Sequence, residues 1–211
     1  MAGLSTQGQH LFKEFSFGDH RDIPFHCVHQ AIAYRAAAHP NFIAVEHLDN
    51  KLSHSELERR GNILAACIQS MGVRPGSDVC LLAHRSIITV DGVVGIVKAG
   101  GVNIPLDGGI VTQSTLEHVI GNSRSVLILA LAEFHHRVQN MGVPVLPLDD
   151  FAFRNDTTPH AKFQELSHPS DGIYIIYTSG NALLGCHSWY INAITQVLLV
   201  SQRVWKSHTP A

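Results

Sequence analysis

The chain has 211 residues, 45% apolar and 15% charged, which supplies one substantial core and excludes a disordered class. Fifteen Lys+Arg against 17 Asp+Glu leave a formal charge of -2 with no basic stripe, which excludes a dedicated nucleic-acid binder. No apolar run approaches the roughly 18 residues of a membrane span, and the opening MAGLSTQGQHLFKEF lacks the basic-then-apolar order of a secretory leader.

Four cysteines, Cys27, Cys67, Cys80 and Cys186, are scattered without paired spacing, so reduced thiols and a cytoplasmic location are expected. Histidine is common at 15 residues, and His26, Cys27 and His29 stand close together. No second ligand pair follows at zinc-site spacing, so no metal site is assigned.

Residues 1–24 read as a flexible lead-in ending at Pro24. An Ala-rich helix is predicted over 27–39, stopped by Pro40, then a strand over 42–48 and a second short strand after the LDNKLS turn. Ser53 and Glu56 have the spacing of a capping box. The helix they open runs through Leu57, Leu64 and Ile68 to a left-handed glycine at Gly72.

A buried strand is expected near 78–83 and an apolar helix over 86–99, in which Gly92 and Gly95 suit close packing. Lys98 is placed to favour the carboxyl end of that helix dipole. Further strands are predicted at 102–106, 125–130, 143–149 and 172–177, with helices over TQSTLEHVIGNS and AEFHHRVQNMG between them. A polar, Pro-containing loop is expected at 150–170, and Asp107 is expected to order a turn with Gly108 and Gly109. Alternating helices and strands with short connections predict an α/β domain with a largely parallel sheet and flanking helices.

The stretch GIYIIYTSGNALLG (172–185) is a strand followed by hydroxyls and glycine. Gly180 and Gly185 have the spacing of the triphosphatase loop, but Cys186 and His187 stand where Lys and Ser/Thr are required. The lysine neutralises the phosphates there, so that reading fails.

YTSG at 177–180, VKAGGVNIPLD at 97–107 and LSHSELE at 52–58 together resemble three ordered motifs of the adenylate-forming (AMP-binding) superfamily. Their style is similar to amino-acid adenylation domains of nonribosomal peptide synthetases and to aminoadipate-type carboxylate reductases. The resemblance covers residues 25–180 and implies an incomplete N-terminal subdomain of that fold. His54 replaces the usual Tyr, and Val102 with Asn103 replaces Ala-Tyr.

By resemblance, such a domain uses ATP and Mg²⁺ to activate an amino or other carboxylic acid as acyl-adenylate, and hands it to a carrier domain. Thr178, Ser179 and Gly180 match the opening of the family's phosphate loop and are the candidate cofactor-binding residues. Two hydroxyls and a permissive backbone supply no positive charge, so ATP and Mg²⁺ binding do not carry over to this chain with them. No catalytic residue is assigned.

After Gly180 the family's lysine-bearing continuation gives way to NALLGCHSWYINAITQVLLVSQRVWKSHTPA. Residues 181–211 therefore read as a non-family tail. Its apolar positions Trp189, Tyr190, Ile194, Val197, Leu198 and Val204 suit one helical stripe. Two functions are expected to compete. The first is an adenylation-type ligase fragment, inactive alone. The second is a non-catalytic product of a mis-spliced or frameshifted gene, or an interaction module, with self-association through exposed apolar surface.

Overall fold

The computed structural model describes residues 5–15, 24–149, 163–178 and 181–186. Helix α1 (Thr6–Phe15) falls inside the segment read as a lead-in, which that reading did not foresee. Helix α2 (Val28–Ala38) starts at Cys27, where Gln30 Oε1 accepts the backbone N–H groups of His26 and Cys27 at 3.0 and 3.1 Å. Those bonds satisfy donors that a helix start leaves without intrahelical partners. Strands β1 (Ile43–His47) and β2 (Asn50–Ser53) pair antiparallel as a separate hairpin.

Helix α3 (His54–Ser70) is capped by Ser53, whose Oγ accepts from Glu56 N at 3.3 Å. The Glu56 carboxylate itself turns to Arg59 and Arg60 at 2.7–2.8 Å. Charge-assisted bonds to two guanidinium groups outweigh one reciprocal bond to a backbone amide. Gly72 follows with φ of 101°, the left-handed value that ends the helix.

From there the chain alternates strictly. Strand β3 (Asp78–Ala83), helix α4 (Ile87–Lys98), strand β4 (Val102–Asp107), helix α5 (Gln113–Ser123) and strand β5 (Leu127–Ala130) follow in turn. Ser86 and Thr112 cap α4 and α5 as Ser53 caps α3. A short 3₁₀ turn, Ala132–Phe134, runs into α6 (His135–Val138), then come β6 (Val145–Pro147), β7 (Gly172–Thr178) and β8 (Asn181–Cys186).

One six-stranded sheet has the order β6-β5-β3-β4-β7-β8. The first five strands are parallel and β8 is antiparallel to β7. Helices cover both faces, which explains why β3 and β5 are apolar at successive positions rather than alternating. Val79, Leu81 and Leu129 face a cluster with Leu64, Ile68 and Ile96. Cys80, Leu82 and Ile128 face Leu116, Ile120 and Val138 on the opposite side.

Helices α3 and α4 approach closely because of two glycines. A Cβ on Gly95 would lie 2.5 Å from Leu64 Cδ2, and one on Gly61 would lie 2.6 Å from Val94 Cγ1. In the stretch read as a non-family tail, Asn181–Cys186 form β8, a strand that reading did not foresee. The helical stripe from Trp189 to Val204 lies outside the described residues.

Candidate functional site

In open α/β sheets, ligands bind beyond the carboxyl ends of the strands, where the strand order reverses. Here the chain steps from β3 to β4 on one side, then returns to β5 on the other side of β3. The crevice this creates is bordered by the loops leaving β3, β4 and β5. Strand β7 lies beside β4 in the register Asn103↔Tyr174. Continued four residues along both strands, that register sets Thr178 level with Asp107 on the same edge.

The β4–α5 loop is tightly built. Asp107 Oδ1 accepts from Gly109 N at 2.9 Å, as its turn-forming role requires. Gly108 packs under the Phe134 ring, where a Cβ would come within 2.3 Å of Cε2. Arg137 donates to the carbonyls of Gly108 and Val111 at 2.7 Å, so its charge is committed to holding the loop.

On the β3 side, His84 Nδ1 lies 2.7 Å from Glu133 Oε1, with both side chains half exposed. The His84 ring stands edge-on to Phe134 at 6.2 Å. Arg85 follows His84 and is exposed on this edge. It sits two strands from β7, about 10 Å by the usual strand spacing. The sequence patterns alone do not single out Arg85. Its signal is position, directly after a buried strand and before the Ser86 cap.

Of the three predicted cofactor residues, Thr178 is the last residue of β7. Ser179 and Gly180 lie outside the described residues. The backbone of Thr178 pairs with Asn181, the first residue of β8, so only two residues separate the paired strands. The residues that follow, Asn181 to Cys186, include no lysine.

The described residues offer a poor fit for Mg²⁺. Asp107 and Glu133 are each engaged locally, and among the described residues no group of three His, Cys, Asp or Glu side chains converges. The buried thiols are inert as nucleophiles. Burial pushes Cys80 up to about 12, and burial followed by Glu165 and Asp171 raises Cys27.

Lys98 departs from its expected role. It does not reach out at the helix end but is 1% exposed, donating to Glu58 Oε1 at 2.8 Å. Its ammonium also lies 5.1 Å from the Phe163 ring centre. The dipole preference survives at its position in the last turn, yet the partner is a carboxylate on α3.

A family model described as "AMP-binding enzyme" matches residues 32–181. The chain belongs to the AMP-binding enzyme family. The match contains LSHSELE and VKAGGVNIPLD and ends one residue past Gly180. An adenylate-forming reductase of Coprinopsis cinerea, 03009, is 41% identical over 181 residues. That alignment covers 85% of this chain and 18% of the relative. HC-toxin synthetase of Cochliobolus carbonum is 31% identical over 160 residues, covering 74% of this chain and 3% of its own length.

Among solved structures, the nonribosomal peptide synthetase FmoA3 bound to alpha-methyl-L-serine-AMP superposes with a TM-score of 0.78 at 21% identity. It covers 92% of this chain and 22% of that one. The fold is that of adenylate-forming enzymes, represented here over part of its extent. This AMP-binding family chain therefore spans less than a fifth of the length of the curated relatives named above.

Proposed function

We propose that these 211 residues supply the N-terminal subdomain of an adenylation unit and do not form an acyl-adenylate alone. The whole unit activates an amino or other carboxylic acid with ATP and Mg²⁺ and passes it to a carrier domain in the cytoplasm. Attack of a carboxylate on the α-phosphate builds charge on phosphate oxygens, and positioned cations and donors must meet that charge.

One observation carries the inactive reading. Strand pairing runs to Thr178↔Asn181, and the strand that follows bears no lysine where the family places its cationic loop. Thr178, Ser179 and Gly180 then offer hydroxyls and backbone N–H groups to a phosphate without a countercharge. Among the described residues the carboxyl edge adds Arg85, two strands away, while Arg137 is committed to the β4–α5 loop.

Pyrophosphate exchange with mixed amino acids tests this. The pure chain is expected to exchange no more label than a protein-free blank. Robust exchange overturns the reading.

A second reading, self-association, draws on exposed apolar side chains near the same edge and strand: Ile110 is 80% exposed and Ile176 44%. Sedimentation velocity at rising concentration is expected to show association. A concentration-independent monomer counts against it.

A further inference from the structure

Residues 163–168 run without helix or strand past the amino end of α2 and the carboxyl ends of α3 and α4, then lead into β7. Successive contacts engage different elements. Phe163 lies over Lys98 of α4. Gln69 of α3 exchanges two bonds with the backbone of Gln164: its Oε1 accepts from Gln164 N and its Nε2 donates to Gln164 O, each at 2.8 Å. That is the double bond a residue on a neighbouring strand would make. The same Nε2 reaches Ala99 O, at the end of α4, at 3.3 Å.

Glu165 continues the attachment. Its Oε1 accepts from Gln30 Nε2 at 2.8 Å and lies 3.0 Å from His29 Nε2. Gln30 also closes the amino end of α2 through its other amide atom, so one side chain joins that helix start to the segment. These hydrogen bonds, Gln30 first and His29 second, hold the Glu165 carboxyl below its usual range. The Cys27 thiol adds a contact to Ser167 O at 3.7 Å.

Strand β7 runs beside β4 at the far side of the parallel strands. It meets β4 at a single register pair, Asn103↔Tyr174, whereas β3 and β4 share six. Ile173 anchors its start against Val28 and Val97. The rest of its pairing is to β8, which contacts the sheet through β7 alone in the strand order.

We infer that residues 163–168 are a strap that sets the position of β7 against β4, with Gln69 and the His29–Gln30–Glu165 cluster as its positioning residues. The strap thereby fixes the level of Thr178 relative to Asp107. This concerns the placement of a strand, and stands whether or not that edge binds a nucleotide.

Hydrogen exchange on the full chain, read strand by strand, tests the inference. Gln69→Ala and Glu165→Ala are each expected to speed exchange of β7 amides by about tenfold or more while β3 and β5 keep their protection. Glu165→Gln retains an acceptor for both donors and is expected to stay within about twofold of the unmodified chain. Unchanged β7 protection in the alanine variants overturns the strap. Equal acceleration of β3, β5 and β7 also overturns it, since the contacts would then stabilise the whole domain without positioning one strand. A Glu165→Gln effect as large as that of Glu165→Ala overturns the role of the hydrogen-bonded cluster. Glu165 has a side chain 51% exposed, so its variants decide the matter even where Gln69→Ala does not fold.

Discussion

Lys98 and Glu58 form an ion pair at 2.8 Å between α4 and α3, with the lysine side chain almost wholly out of water. Removing one partner of such a pair leaves an uncompensated buried charge. Glu58→Ala is expected to cost about 3–5 kcal/mol. Lys98→Met keeps most of the packing and leaves unpaired the less deeply buried partner, Glu58 at 20% exposure against 1% for Lys98, so a smaller loss is expected. Urea denaturation of both variants checks the order, and equal losses would contradict it.

The close approach at Gly95 gives a second expectation. Gly95→Ala gains up to about 1 kcal/mol of helix propensity. It also drives a methyl into Leu64, and overpacking of that kind costs about 1–3 kcal/mol. A net loss of stability is expected. Combining it with Leu64→Ala should give a double variant more stable than the sum of the single losses, because the approaches to Leu64 Cδ2 and Cγ are then removed and only that to Cβ, at 2.8 Å, remains. Strict additivity in thermal or urea melts would show that the two residues do not compete for space.

Two carboxyls on the α3–α4 face respond to pH with opposite sign. Glu56 is held at about 2, first by its hydrogen bond to Arg59, against an ordinary value of 4.5. Its contribution is therefore present above pH 4.5 and lost as pH falls toward 2. Asp91, 3% exposed, is raised to about 6 from 3.8, chiefly by burial, with Arg60 at 3.2 Å opposing the shift. The fold then binds the proton more tightly than the unfolded chain, so Asp91 subtracts stability as pH rises from 3.8 through 6. Glu56→Gln should flatten the lower window and Asp91→Asn the upper one in urea midpoints taken across pH. A slope that neither substitution alters would refute both assignments.

At the carboxyl edge, Asp107 acts through a hydrogen bond to Gly109 N. Asp107→Asn keeps an oxygen in place and is expected to be near neutral. Asp107→Ala removes it and should cost about 1 kcal/mol. Equal stability of the two variants in denaturant titrations would mean that the carboxyl group does not order this loop.

Local signals were easy to read in this chain. Ser53 announces a helix start because a cap needs only a side-chain oxygen three residues from an amide, and the structure shows Ser86 and Thr112 capping by the same rule. Strand β3 was legible from its unbroken apolar run. What failed depended on distant partners. The neighbour that buries Lys98 lies forty positions earlier on another helix, and no periodicity reveals it. Glu56 has capping-box spacing, yet two arginines in its own helix compete for the carboxylate and win. Strand β8 escaped notice because NALLGC is short and apolar without alternation, and its pairing with β7 decides its form. At the candidate site the motif residues were visible, while Arg85 became relevant only once the strand order put β3 and β7 on the same edge.

The strand order also has a kinetic consequence. Strands β3, β4, β5 and β6 can associate as soon as α5 and α6 have been made, since β3 pairs with both β4 and β5. Strand β7 must travel back past that whole assembly to reach the far side of β4. Closing the longer loop costs more chain entropy before any contact rewards it. Pulse-labelled exchange during refolding should show β3 and β5 protected before β7. A ribosome would thus expose a nearly finished four-stranded nucleus before synthesising the end of β7, and changes beyond Thr178 would reach the molecule after most of the parallel sheet had formed.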